Sequence, residues 1–174
     1  IRITKAVVNM ADSYGVNVEA ELGFVPKLGQ EQIGQGFTQP GDAERFTEQT
    51  GINALAVAIG SAHGFYRQAP RLDISLLARI SNAIPTPLVL HGSSGIPDIM
   101  LQEAIRNGIT KINLATEIKN TYMRALQQIL RENAEIDLRV VFPPATKAVT
   151  ALIINKLNII QKTKNQWTSW EFLR

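Results

Sequence analysis

The sequence predicts an α/β fold of alternating strand and helix units, with about four parallel strands under helical cover. Three observations carry this. Segments beginning near residues 16, 54, 87 and 111, alternating or continuously apolar, have the length and composition of strands. Between them lie stretches with a period of 3.6, most ended by Gly or Pro. The run Ala54-Leu55-Ala56-Val57-Ala58-Ile59-Gly60 is continuously apolar, as in a strand buried on both faces of a parallel sheet. The strand spacing suits a (β/α)8 barrel, which typically needs about 250 residues for eight units. This chain has 174 residues and four strands. A small doubly wound open sheet is the rival architecture, weakened because no G-x-G-x-x-G turn follows the first strand.

The elements follow in order. Residues 4–14 place Ala6, Val7, Met10, Ala11 and Tyr14 on one helical stripe, closed by Gly15. Residues 16–22 alternate apolar and polar and read as a strand. Residues 23–37 are glycine-rich and aperiodic, a loop. Thr38 and Pro40 open a helix that ends at Gly51. The strand from Ala54 follows. Asp73 caps a helix that turns Ile74, Leu77 and Ile80 inward and ends before Pro85. Residues 87–90 form a short buried strand, 99–107 a helix stopped by Gly108, and 111–115 a fourth strand. Ile118, Tyr122, Ala125, Leu126, Ile129 and Leu130 mark a strongly amphipathic helix. A last helix spans about 144–160, and a polar tail with two Trp runs from 161 to 174.

Composition bounds the chemistry. Hydrophobic residues make up 45% and charged residues 19%, an ordinary globular balance. With no Cys there is neither a disulfide framework nor a thiolate zinc site. The net charge of +3 is spread without a basic run, so no nucleic-acid partner is expected. No apolar run approaches 18 residues and no signal-peptide layout is present; no membrane is expected and the location is read as cytoplasmic. The chain begins with Ile rather than Met and is expected to be a fragment or a processed product.

In parallel α/β folds, the carboxyl ends of the strands build the active site. His63 and His91, the only two histidines, both follow strands and precede Gly. Imidazole suits zinc, and a catalytic zinc usually has three protein ligands and one open position. Glu19 or Glu21 is the candidate third ligand, against the alternative of a polar layer residue. Gly64, Gly92 and Gly95 let backbone N–H groups approach an anion, Ser94 adds a hydroxyl, and Thr116 opens a helix whose N-terminus favours phosphate. Imine chemistry needs a Lys at this face. Lys111 begins the fourth strand in this reading and so falls at the opposite end.

Four segments in order, 18–23, 56–64, 88–95 and 111–117, resemble the class II, zinc-dependent ketose-bisphosphate aldolases, with the last segment similar to the tagatose-bisphosphate branch. The resemblance covers about residues 1–160 and implies the C-terminal half of a (β/α)8 barrel. It implies reversible cleavage of tagatose or fructose 1,6-bisphosphate to dihydroxyacetone phosphate and glyceraldehyde 3-phosphate, with Zn2+ as Lewis acid. It matches His63 and His91 to two zinc ligands. Gly64, Gly92, Ser93 and Ser94 match the loops that hold the dihydroxyacetone phosphate portion. Asn113, Leu114, Ala115 and Thr116 match the strand-eight segment, with Asn113 at the substrate and Thr116 at the phosphate. Glu31 matches a mobile-loop glutamate that moves protons. Against the family pattern, Phe24-Val25-Pro26-Lys27 replaces a short Gly-rich stretch, and Ser93 stands where Gly or Ala is common. The family's third zinc His and catalytic Asp have no match here. The complete enzyme is expected to be a homo-oligomer. The chain alone is expected to bind zinc weakly and turn over little. A non-catalytic sugar-phosphate-binding subunit is the alternative.

Overall fold

A computed structural model of the protein describes residues 1–27, 36–66 and 70–164. Its elements are α1 (Arg2–Asp12), β1 (Glu19–Leu22), α2 (Pro40–Thr50), β2 (Ala54–Val57), α3 (Ile74–Ala83), β3 (Leu88–Leu90), α4 (Asp98–Arg106), β4 (Ile109–Ile112), α5 (Thr116–Glu132) and α6 (Leu138–Lys164). The chain divides into two compact units, residues 1–114 and 115–174.

The first unit holds one four-stranded parallel sheet in the order β1-β2-β3-β4. Its register sets Glu21 beside Ala56, Ala56 beside Val89, and Val89 beside Lys111. Side chains alternate along a strand, so Glu19, Glu21, Ala54, Ala56, Val89 and Lys111 share one face. The other face carries Leu55, Val57, Leu88 and Leu90, all buried, and the helices supply Phe46, Leu77, Ile80, Leu101 and Ile105 to the core. Consecutive helices touch in sequence order.

Several local expectations shift. Strand β1 starts at Glu19 rather than 16, because Asn53 draws off the chain before it: its side chain accepts from Val18 N at 2.7 Å and its own N–H donates to Val18 O at 2.9 Å. Strand β2 stops at Val57, short of the apolar run. The predicted stripe of α1 is not its buried face. Val8 is buried, whereas Val7, Met10 and Tyr14 are exposed. The helix packs on α2, and the Lys5 ammonium reaches the Thr50 carbonyl at the end of α2. Gln39, not Thr38, is the N-cap of α2. The Thr38 hydroxyl donates to Leu22 O at 2.6 Å and accepts from Ala58 N at 2.9 Å, joining the ends of β1 and β2. Gly51 closes α2 at φ 71°, a left-handed cap that suits Gly.

Asp73 caps α3 as expected, accepting from Leu76 N at 2.8 Å. Leu76, Leu77 and Ile80 are its buried residues, with Ile74 only half-buried. Strand β4 starts two residues before the expected Lys111. The Thr110 hydroxyl donates to Leu88 O at 3.0 Å, where the β3–β4 register is irregular.

The second unit is an α5–α6 pair. Val141, Ala145 and Ile159 are buried on α6, and Tyr122 meets Phe142 edge-on at 6.3 Å. Helix α6 starts at Leu138 and runs through Pro143 and Pro144, where the sequence suggested a start at 144. Two prolines remove two backbone donors. Asp137 starts the helix ahead of them, its carboxylate accepting from Arg139 N and its carbonyl from Val140 N and Val141 N. No described helix is long and apolar enough to cross a membrane.

Candidate metal centre

The sheet face of Glu19, Glu21 and Lys111 gathers the polar residues of the first unit. His91 lies two residues after Val89, so its ring rises on the same face. The ring is held at both nitrogens. Nδ1 is 2.5 Å from Glu21 Oε2, and Nε2 is 2.9 Å from Glu19 Oε1. Which ring nitrogen donates depends on the tautomer, and an ionised carboxylate facing an N–H accepts from it. The other Glu19 oxygen accepts from the Lys111 ammonium at 2.7 Å. Burial pushes the Glu19 pKa up, and the bonds from Lys111 and His91 outweigh it, leaving the carboxyl below its ordinary range.

The His63 ring sits 6.0 Å from the His91 ring, centroid to centroid. One donor atom each from Glu21, His63 and His91 falls within 4.8 Å of the others. Ligand bonds of about 2.0–2.2 Å in a tetrahedron put donors roughly 3.3–3.6 Å apart, so side-chain shifts of about 1 Å, with the Glu21–His91 contact opening and any wider spacing closing, bring these three onto one zinc. Two imidazoles, a carboxylate and an open fourth position form a known type of catalytic zinc donor set. The residues present fit the metal, with Glu21 the carboxylate that could stand as third ligand.

Backbone geometry holds the two histidine loops together. His63 N donates to Pro26 O at 2.8 Å, tying it to the segment after β1. Gly92, after His91, has φ 67°, and a Cβ there would lie 2.4 Å from Ala62 O. Only glycine permits both the left-handed backbone and the close approach of the loops. The Tyr66 hydroxyl bridges them, accepting from Ala62 N at 2.9 Å and donating to Gly92 O at 2.7 Å. Burial pushes its pKa up, with the Ala62 bond opposing, so it stays protonated and able to donate.

The other sequence-derived residues divide. Gly64 adjoins His63. Ser93 and Ser94 are buried, and the Ser93 hydroxyl donates to Leu90 O at 3.1 Å, within its own loop. Asn113 joins this loop through its backbone, its N–H donating to Leu90 O and its carbonyl accepting from Ser93 N. Leu114 ends the first unit. Ala115 and Thr116 belong to the second, as N-cap and first residue of α5. Glu31 and the Trp-bearing end of the tail lie outside the described residues. Sequence reasoning missed Tyr66 and misplaced Lys111. Since β4 begins at Ile109, Lys111 is its third residue and its ammonium reaches the histidine cluster. The signal for this was the spacing of Lys111 and Asn113, two apart and so on one face of a strand.

Comparison with known proteins agrees with this geometry. The profile of the family described as fructose-bisphosphate aldolase class-II matches residues 1–165. Among solved structures, the YdjI aldolase from Escherichia coli K12 is 37% identical, with a TM-score of 0.76 over 91% of this chain and 54% of its own. A candidate fructose-1,6-bisphosphate aldolase from Coccidioides immitis is 27% identical, with a TM-score of 0.82 over 94% and 58%. A fructose-bisphosphate aldolase from Campylobacter jejuni, 21% identical, shares the fold at a TM-score of 0.70 over 94% and 56%. The chain thus spans little more than half the length of the structures it matches.

Proposed function

Because the chain belongs to the class II fructose-bisphosphate aldolase family, we propose that it forms the zinc-binding part of a cytoplasmic enzyme that reversibly cleaves a ketose bisphosphate, tagatose or fructose 1,6-bisphosphate, to dihydroxyacetone phosphate and glyceraldehyde 3-phosphate. The fold is α/β, part of a TIM-barrel aldolase. Residues 1–160 are read as the aldolase part. The observation that carries the proposal is the convergence of Glu21, His63 and His91 within 4.8 Å on one sheet face.

Each group has a role in this reading. His63, His91 and Glu21 hold Zn2+, which supplies Lewis-acid polarisation of a carbonyl oxygen. Glu19 accepts from the far nitrogen of His91 and fixes the ring's tautomer. The Gly64 and Gly92–Ser94 loops, fastened by Tyr66, present backbone to the dihydroxyacetone phosphate portion. Asn113 braces the second loop and faces the substrate. Thr116, at the first turn of α5, favours a phosphate through the helix N-terminus. Glu31 is assigned the proton exchange at the substrate carbon.

The test is ligand binding and cleavage on zinc-loaded and chelated protein. Dihydroxyacetone phosphate is expected to stabilise only the loaded form, with slight turnover of either bisphosphate by this chain alone. Cleavage that survives chelation would remove zinc from the reading. Stabilisation by dihydroxyacetone phosphate that ignores zinc would mark a non-catalytic sugar-phosphate-binding module instead.

A further inference from the structure

We propose that Lys111 is a positioning residue for the metal centre, holding Glu19 on the Nε2 side of His91 so that the ring offers Nδ1 to the ion; the inference rests on the zinc reading above.

Glu19 and Lys111 lie on opposite edge strands of the sheet, β1 and β4, yet on the same face. Between them that face carries Ala54 and Ala56 on β2 and Val89 on β3. These short side chains leave the space above the two central strands to the long ones. Lys111 Nζ therefore reaches Glu19 Oε2 at 2.7 Å, while Glu19 Oε1 takes His91 Nε2 at 2.9 Å. The two oxygens of one carboxylate are committed to different partners, which fixes its plane and, through it, the ring. Glu21, two residues along β1, sits at the other ring nitrogen. The same ring thus has a supporting carboxylate on one side and a ligand carboxylate on the other. What distinguishes them is the lysine: it engages Glu19 and not Glu21.

Without the ammonium, Glu19 is an anion on a flexible stem beside His91, with a second carboxylate two residues along the strand. It is then free to swing toward the ion and compete with Glu21. Two effects of removing Lys111 oppose each other. Losing a positive charge strengthens the attraction for a cation. Losing the brace disorders His91 and lets Glu19 compete. Lys111 is 54% exposed, so its charge is largely screened by water, and the loss of order dominates. An exposed ion pair also adds little to fold stability, which separates a positioning role from a structural one.

The experiment measures zinc affinity by competition with a chromophoric chelator, together with the visible spectrum of the Co2+-substituted protein, for wild type, Lys111→Met, Lys111→Arg and Glu19→Gln. The expected result is a loss of about 10–100-fold for Lys111→Met, the range for a lost supporting partner of a metal ligand, with a changed Co2+ spectrum and an almost unchanged melting temperature of the metal-free protein. Lys111→Arg restores most of the affinity. Glu19→Gln, which leaves the lysine in place, loses a similar amount and serves should Lys111→Met fail to fold. Zinc binding by wild type with equal or tighter binding by Lys111→Met and Glu19→Gln overturns this inference alone. Failure of wild type to bind zinc overturns the metal reading and this inference with it.

Discussion

Glu21 and His91 stand seventy positions apart in sequence, and their side chains meet at 2.5 Å. The contact joins the first and third strands of the sheet over the small side chain of Ala56. It also selects between two carboxylates that the alternation of β1 puts on one face. Glu21 lies within 4.8 Å of both histidines, atom to atom, and in the proposed reading it completes the donor set while Glu19 supports His91.

Removing that donor is the direct test of the selection. Glu21→Ala is expected to weaken zinc binding at least as much as the roughly 10–100-fold that a lost supporting partner costs. Its melting curve without metal should stay close to wild type, since Glu21 is exposed. Isothermal titration with zinc decides. Unchanged affinity would return Glu21 to a polar layer residue.

The Tyr66 hydroxyl is the fastening between the two histidine loops. Tyr66→Phe keeps the ring and removes both bonds, to Ala62 N and Gly92 O. Its cost is about 0.5–1.5 kcal/mol per bond. Hydrogen exchange locates the effect: the Ala62 amide should exchange faster while amides of the core strands keep their protection. Unchanged protection at Ala62 would show that the bridge does not restrain the loops.

Gly92→Ala is expected to be worse than its size suggests. The left-handed backbone at φ 67° costs a residue with a Cβ about 1–3 kcal/mol, and the new methyl would sit 2.4 Å from the Ala62 carbonyl oxygen. Both the melting temperature and zinc affinity should fall, because relief of the clash moves His91. A variant melting with wild type would contradict the loop geometry.

Asp73 gives a pH prediction with a definite sign. The backbone N–H of Leu76 and then the Ser75 hydroxyl hold its carboxyl below the ordinary range, against slight desolvation. A carboxyl with a lowered folded value stabilises the fold fully above the unfolded value of about 3.9, and this contribution is lost as pH falls through the folded value. Asp73→Asn keeps a capping oxygen without a titrating group, so its stability should fall less steeply as pH drops below about 4. Asp73→Ala loses the cap at every pH, at a cost of about 0.5–2 kcal/mol. Thermal melts across that window check both.

The strand–helix alternation and the two histidines were legible because they depend on local pattern. An apolar run of β-branched and small residues marks a buried strand, and a His-Gly pair after it marks the working edge of the sheet. Strand ends were not legible where a distant partner decides them. Asn53 shortens β1 from across the sheet, and Thr110 extends β4 by bonding to Leu88. The second error had a functional consequence, since a strand begun at Lys111 puts that lysine at the wrong end. The apolar stripe of α1 also misled. Periodicity shows that a helix has two faces but not which neighbour is present to cover one, and here α2 covers the Val8 side. Tyr66 gave no signal because its partners are a main-chain amide and a main-chain carbonyl, neither of which depends on residue type.

The strand order β1-β2-β3-β4 is strictly sequential, and this makes the sheet an open series. Among the described residues no strand is inserted between two earlier ones, so each hydrogen-bonded ladder joins immediate successors in the chain. A further strand–helix unit can be added at the β1 or the β4 edge without any existing pair being parted. Loss of an end unit likewise leaves the inner ladder whole. The histidines sit on the loops after the two inner strands, β2 and β3, while Glu19 and Glu21 lie on the β1 edge and Lys111 on the β4 edge, so trimming at either end spares the histidines and takes away groups that hold them.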